Sequence, residues 1–176
     1  VSTGLPLPNA MTLSTVKKDH SPAARIVLLK ELDDRGFIFF TNYQSAKSDE
    51  LAHQSKAALL FWWISQERQV RIEGATEKIS ASESEEYFAT RPRDSQLSAW
   101  ASNQSHPVSG RPELEKKMAE MKTKFADQKV TKPNEWGGYR LLPDFFEYWQ
   151  GREDRLHDRI CYFFEKNSWK VQRLAP

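Results

Sequence analysis

The tract that decides the fold class is RIVLLKEL (25–32), followed by DDRG (33–36) and FIFFT (37–41). β-Branched and apolar side chains suit a pleated, half-buried surface. Asp and Gly supply turn chemistry between the two runs, so the tract predicts two strands joined as a hairpin. Working outward, residues 10–16 predict a short strand. Residues 45–54 predict a helix with Ser45 as N-cap, and KAALLFWW (56–63) predicts a buried strand. Residues 67–80 alternate in part, with Gly74 expected to mark a bulge. Ser82 is expected to open a helix, since Glu85 three residues later completes a capping box. That helix should end near Arg91, because proline disfavours helix at the residue before it, and Pro92 can open the next helix as its first residue. Residues 112–125 form the clearest amphipathic helix, with Leu114, Met118, Met121 and Phe125 at helical spacing. Residues 138–142, 145–150, 159–164 and 169–174 return to strands. Strands and helices do not alternate as βαβ units, which argues against a doubly wound parallel sheet. The expected architecture is mainly β: one domain over residues 1–176, an antiparallel barrel with peripheral helices.

The bulk numbers fit that reading. A chain of 176 residues with 39% hydrophobic and 28% charged residues is globular rather than disordered. The 26 basic and 24 acidic residues nearly cancel to +2, which argues against a polyanion binder such as a nucleic-acid module. Any anion site must come from local arginine clusters. A single cysteine, Cys161, excludes an intramolecular disulfide and a Cys-based zinc site, and fits a reducing, cytoplasmic setting. No apolar run reaches the roughly 18 residues of a membrane helix, and no signal peptide is expected. There is no dinucleotide or P-loop glycine motif, and the four histidines lack metal-ligand spacing, so no metal is expected.

Four constellations carry chemistry. In Arg155-Leu156-His157-Asp158-Arg159, an extended chain would turn Arg155, His157 and Arg159 to one face, two guanidiniums flanking an imidazole. A solvated edge strand explains the same residues about as well. In YFATRPRDS (87–95), Tyr87 and Arg91 share a helix face and Ser95 falls in the first turn of the next helix. Together they make a phosphate cradle, although an ordinary helix junction is the commoner outcome. Arg25 and Lys30 bracket a strand on opposite faces, and TNYQSAK (41–47) offers hydroxyls and a lysine at a strand-to-helix junction. Trp149, with the amides of Gln69 and Gln104 and the hydroxyl of Ser105, can read the edge of a polar aromatic ring.

Taken together, RIVLLK (25–30), FFTN (39–42), ERQVRIEG (67–74), YFATRPRDSQ (87–96), NQS (103–105), WGGYR (136–140), EYWQGREDRLHDR (147–159) and VQRLAP (171–176) resemble the pyridoxine/pyridoxamine 5′-phosphate oxidase family, in family order and over nearly the whole chain. The resemblance implies an FMN-binding split barrel and a homodimer with FMN at the subunit interface. The implied reaction is oxidation of the substrate at C4′, with hydride passing to the flavin and O2 reoxidising it to give H2O2; the product is pyridoxal 5′-phosphate. By position, FMN binding falls to Arg25, Ile26, Val27, Leu28, Lys30, Phe40, Thr41, Ser45, Lys47, Gln69, Gln104, Ser105, Trp149 and Arg159. Substrate binding falls to Lys30, Tyr87, Arg91 and Ser95, with Arg155 and His157 as catalytic residues against the substrate ring. Ala46 departs from the family's usual Arg beside Lys47, which removes a charge-assisted phosphate contact worth about 1.5–3 kcal/mol. Phe40 often stands as Tyr, and Ser98 as Gly. The chain starts at Val1, and the family's N-terminal segment is expected to be absent from it. The competing readings are a non-catalytic flavin or pyridoxal-phosphate carrier, and a relative using heme or a deazaflavin.

Overall fold

The computed structural model describes residues 6–176; Val1, on which the expectation about the N-terminal segment rests, lies outside them. The chain divides into two compact units, one of Val1–Phe39, Glu50–Glu77 and Arg140–Pro176, the other of Phe40–Asp49 and Lys78–Tyr139.

The first unit is built on an antiparallel sheet. Its strands are β1 (Ala10–Val16), β2 (Pro22–Leu28), β3 (Glu31–Asp33), β4 (Gly36–Asn42), β5 (Lys56–Trp63), β6 (Arg68–Lys78), β7 (Trp136–Gln150), β8 (Asp158–Glu165) and β9 (Ser168–Leu174). They run in the order β2-β1-β5-β6-β7-β4-β3, with β8 pairing β7 and β9. Period-two burial selects the core: Met11 and Leu13 on β1 and Ala57, Leu59 and Phe61 on β5 point inward, as alternation along a pleat requires.

RIVLLKEL is two strands rather than the single strand expected. β2 pairs with β1 as far as Leu28. The Leu29 N–H then donates to Asn9 O at 2.9 Å, and the next N–H, from Lys30, donates to Ile38 O at 2.9 Å. The backbone changes partner between adjacent residues, a tertiary choice that propensity does not report. The DDRG hairpin forms between β3 and β4. Asp33 Oδ1 accepts from the N–H groups of Arg35 and Gly36 at 2.9 and 3.0 Å, and the buried Arg140 donates to Asp33 Oδ2 at 2.7 Å.

The two C-terminal strands expected at 138–142 and 145–150 are one, β7, which passes straight through Pro143. Proline is rare within a sheet because it donates no ladder bond. Here the neighbouring strands present glycines at that level. A Cβ on Gly36 would lie 3.0 Å from the Leu141 carbonyl carbon, and one on Gly74 would lie 2.8 Å from that of Leu142 and 3.0 Å from Pro143 Cα. Gly74 marks a close backbone approach to β7, and the expected bulge is not in the β5–β6 ladder, whose register runs unbroken from Lys56↔Ala75 to Trp63↔Arg68. β8 and β9 join through Lys166 and Asn167, both at positive φ (50° and 63°), the geometry of a two-residue primed turn. Cys161 on β8 is fully buried, and burial raises its thiol pKa.

The second unit carries three helices, α2 (Ala81–Thr90), α3 (Arg93–Ala101) and α4 (Arg111–Lys124), and the start of α1 (Ala46–His53). The capping box falls two residues before the expected position: Ser80 accepts from the Glu83 N–H at 3.1 Å, and the Glu83 carboxylate accepts from the Ser80 N–H at 2.8 Å. Both S-x-x-E pairs exist in the sequence. The first is used because Ile79, buried and bonded from its N–H to Gly138 O, ends its strand at that point. Pro92 is the cap of α3 rather than its first residue. Phe88, Leu97, Phe125, Val130 and Trp136 form this unit's apolar core. Arg93 donates to the carbonyls of Phe125, Ala126 and Gln128, closing the end of α4.

Candidate functional site

In the second unit, a cleft of about 380 Å³ is lined by Phe40, Thr41, Asn42, Arg91, Ser98, Ala99, Ser102, Gln104 and Trp136. Arg91 is the C-cap of α2. Its guanidinium lies over the Trp136 ring at 4.7 Å, and its Nη1 is buried with no hydrogen-bond partner among the described residues. An orphaned buried donor is costly, and an arginine fork matches a phosphate. Burial pushes the Arg91 pKa down, against the opposing influence of Tyr87. Tyr87, one helical turn earlier, stacks on Phe40 at 3.9 Å and 11°. Ser95 lies in the first turn of α3, partly buried.

Beside the cleft, where β4 ends and α1 begins, the buried Lys47 ammonium donates to Thr41 Oγ1 (3.0 Å), Ser45 Oγ (3.1 Å) and Gln104 Oε1 (3.2 Å), all neutral oxygens. Gln104 Oε1 also accepts from Thr41 Oγ1 and the Asn42 N–H. Thr41, Ser45, Lys47 and Gln104 are thus brought together as expected. Ser105 follows Gln104 on an exposed loop at φ 71°. A cation with hydroxyls and an amide around it is the donor set that suits a phosphate ester, so these residues fit the tail of FMN. Ala46, the first residue of α1, is exposed.

The first unit holds the other expected residues. Arg25 on β2 is not free: its guanidinium pairs with the buried Glu50 at 2.7 Å and donates to Thr15. Ile26, Val27 and Leu28 follow it along β2, Ile26 exposed. Lys30 is exposed at the switch between β2 and β3, and Gln69 on β6 faces Trp62 across the β5–β6 ladder. Trp149 and Arg159 pair across β7 and β8. Arg159 Nε donates to the buried Glu147 at 2.6 Å and Nη1 to Ala175 O at 2.9 Å, while Arg71 holds the other side of Glu147 at 2.7 Å.

The expected extended run 155–159 is not present. Residues 153–155 form a helical turn in which Asp154 and Arg155 have φ 56° and 60°, and the strand begins only at Asp158. Alternation therefore does not place Arg155 on the face of His157 and Arg159. Arg155 is exposed and makes no hydrogen bond or ion pair among the described residues. His157 packs against Trp149 at 4.6 Å, and its Nδ1 accepts from the Arg152 N–H at 3.1 Å. That bond leaves the proton of neutral His157 on Nε2, as a donor.

Sequence reasoning assigned no role to Trp136, Glu50, Thr15, Glu147 or Arg152. Trp136, Glu147 and Arg152 lie inside the motifs WGGYR and EYWQGREDRLHDR; Glu50 and Thr15 left no local signal.

Residues 1–125 match the family described as pyridoxamine 5′-phosphate oxidase, and residues 136–176 match the C-terminal dimerisation region of pyridoxine 5′-phosphate oxidase. The chain belongs to the pyridoxamine 5′-phosphate oxidase family. Among curated relatives, the pyridoxine/pyridoxamine 5′-phosphate oxidase of Cyanothece sp. strain PCC 7425 is 54% identical over 96% of this chain and 79% of its own length. Among solved structures, PhzG from Burkholderia lata 383, in complex with tetrahydrophenazine-1-carboxylic acid, superposes with a TM-score of 0.93 at 31% identity, covering 98% of this chain and 85% of its own. A pyridoxamine 5′-phosphate oxidase-related, FMN-binding protein from Nostoc punctiforme shares the fold at a TM-score of 0.78 and 17% identity, over 98% of this chain and 90% of its own. The expected fold class, the mainly antiparallel split barrel, is the one found. In this oxidase the dimerisation region is β7, β8 and β9, and the homodimer expected from the resemblance follows from it. No helix among the described residues is long and apolar enough to cross a membrane.

Proposed function

We propose that this member of the oxidase family converts pyridoxine 5′-phosphate or pyridoxamine 5′-phosphate to pyridoxal 5′-phosphate in the cytoplasm, as a homodimer with FMN at the subunit interface and O2 as the final acceptor. The whole chain is taken as one functional domain, since neither compact unit is a continuous segment. The observation that carries the reading is the buried Nη1 of Arg91, without a hydrogen-bond partner among the described residues, in a cleft that also presents Thr41 and Gln104. FMN, when bound, supplies the hydride acceptor.

The chain's own residues bind and orient. In the second unit, Lys47, Thr41, Ser45, Gln104 and Ser105 hold the cofactor's phosphate and Phe40 its surroundings, while Arg91, Tyr87 and Ser95 hold the substrate phosphate. In the first unit, Arg25, the strand Ile26–Val27–Leu28, Gln69, Trp149 and Arg159 hold FMN, and Lys30 serves both ligands. Arg155 clamps the substrate ring, and His157, with Nε2 as donor, hydrogen-bonds it or assists proton loss. Phosphate binding is remote from the reacting carbon, so its binding energy is available to fix orientation there.

The test is spectroscopic. The purified protein should be yellow, and pyridoxine 5′-phosphate should bleach the flavin band under anaerobic conditions, with colour returning and H2O2 appearing when O2 is admitted. A protein that binds flavin but is not bleached is a carrier, and the catalytic reading fails.

A further inference from the structure

WGGYR (136–140) contains none of the residues that the family resemblance assigns to the cofactor or the substrate. Its geometry gives it a role. Trp136 is almost wholly buried, and two aromatic rings, Phe40 and Tyr87, lie nearly parallel to its indole: Phe40 to Trp136 at 5.1 Å and 8°, Phe40 to Tyr87 at 3.9 Å and 11°, and Tyr87 to Trp136 at 6.3 Å and 5°. The Arg91 guanidinium rests over the same indole at 4.7 Å, with Phe88 at 5.5 Å on another side. The two glycines that follow bring the indole to this place. A Cβ on Gly137 would lie 2.7 Å from Tyr43 Cε2, and one on Gly138 would lie 3.0 Å from Phe40 Cε1. Side chains at either position would force the chain away from the stack.

We propose that Trp136 is the positioning residue of the substrate-phosphate site: its indole face holds the Arg91 guanidinium in place without neutralising it, and through Phe40 it also sets the plane of Tyr87. The inference rests on the reading that Arg91 and Tyr87 receive the substrate phosphate. Elsewhere in this chain arginines are fixed by carboxylates, Arg25 by Glu50 and Arg159 by Glu147. A carboxylate cancels the charge it orients. An aromatic face attracts the cation through its quadrupole and leaves the N–H edge, and the full positive charge, for an anion. The buried Nη1 of Arg91 is the edge so reserved.

The test compares Trp136→Leu, Trp136→Phe and Arg91→Ala with the unaltered holoenzyme at saturating FMN. It measures kcat and KM for pyridoxine 5′-phosphate, inhibition by pyridoxal 5′-phosphate and by unphosphorylated pyridoxal, FMN affinity and Tm. Trp136→Leu should raise KM about tenfold with kcat changed less than about twofold. Inhibition by pyridoxal 5′-phosphate should weaken to match while inhibition by pyridoxal does not change, and FMN affinity should hold. Trp136→Phe, which keeps a smaller aromatic face, should recover most of the loss; if the leucine variant does not fold, Trp136→Met, apolar without an aromatic face, takes its place in the comparison with Trp136→Phe. A merely structural role would lower Tm and FMN affinity and weaken both inhibitors alike, without rescue by phenylalanine; that result overturns the proposal, as does an unchanged KM. If Arg91→Ala raises KM and the Trp136 variants do not, only the positioning role fails. If Arg91→Ala also leaves KM unchanged, the phosphate site itself is misplaced.

Discussion

Arg155→Ala separates catalysis from stability more cleanly than any other substitution here. Arg155 is exposed and makes no hydrogen bond or ion pair among the described residues, so truncating it should change stability by no more than about 0.5 kcal/mol. Its backbone sits at φ 60°, and alanine carries the same Cβ into that region, so the local strain is the same in both proteins. What the substitution removes is a guanidinium free to engage substrate. A hydrogen bond to a charged group is worth about 1.5–3 kcal/mol, which converts to a loss of about 10- to 150-fold in kcat/KM. The assay is the anaerobic half-reaction at saturating FMN, read as flavin bleaching against pyridoxine 5′-phosphate concentration, with Tm and FMN affinity measured on the same preparation. A variant with unaltered Tm and bound FMN, and with kcat/KM within twofold of the parent, would refute the clamp. A fall in Tm of more than a few degrees would show instead that the turn at residues 153–155 depends on contacts not attributed to it.

Three further outcomes follow from the geometry. Ala46→Arg, at the exposed first residue of α1 beside Lys47, should tighten FMN roughly tenfold or more by adding one charge-assisted contact; an unchanged dissociation constant in a flavin-quenching titration counts against the phosphate assignment. Gly74→Ala places a Cβ 2.8 Å from the Leu142 carbonyl carbon and should cost about 3 kcal/mol, at the upper end for overpacking, because the obstacle is backbone; a urea midpoint equal to the parent's would show that β7 yields easily. For Asp33, burial pushes the pKa up, but the Arg140 guanidinium and the N–H groups of Arg35 and Gly36 outweigh it and hold the carboxyl at about 2, against an ordinary 3.8. The folded pKa is the lower one, so this contribution is complete above about pH 3.8 and drains away as pH falls toward 2. Asp33→Asn should flatten the pH dependence of stability across that window, and an equally steep fall would exclude Asp33 as a source of acid lability.

Legibility in the sequence followed the range of the interactions. β1 and β5 stand where the apolar/polar run at 10–16 and the continuous apolar run at 56–63 put them, because each buries alternate side chains against one core. The amphipathic helix 112–125 is α4 within a residue at each end. Thr41, Ser45 and Lys47 meet at the strand-to-helix junction where the sequence offers hydroxyls and a lysine, while Gln104, grouped in the sequence with Gln69 and Trp149, joins them through long-range contacts. What failed depended on distant partners. The break after Leu28 is set by Asn9 and Ile38, and the passage of β7 through Pro143 depends on Gly36 and Gly74. An extended chain would align Arg155 with His157 and Arg159, whereas positive φ at Asp154 and Arg155 makes a turn there. Glu50 and Glu147 were invisible as partners of Arg25 and Arg159, since an ion pair across a sheet leaves no mark of spacing.

The chain's one cysteine is sealed inside β8, within the dimerisation region, with its thiol held in the protonated, unreactive form. A thiol-specific dye can therefore reach Cys161 only when that strand opens. The labelling rate becomes an internal clock for how often this part of the protein breathes, and no residue need be engineered to read it.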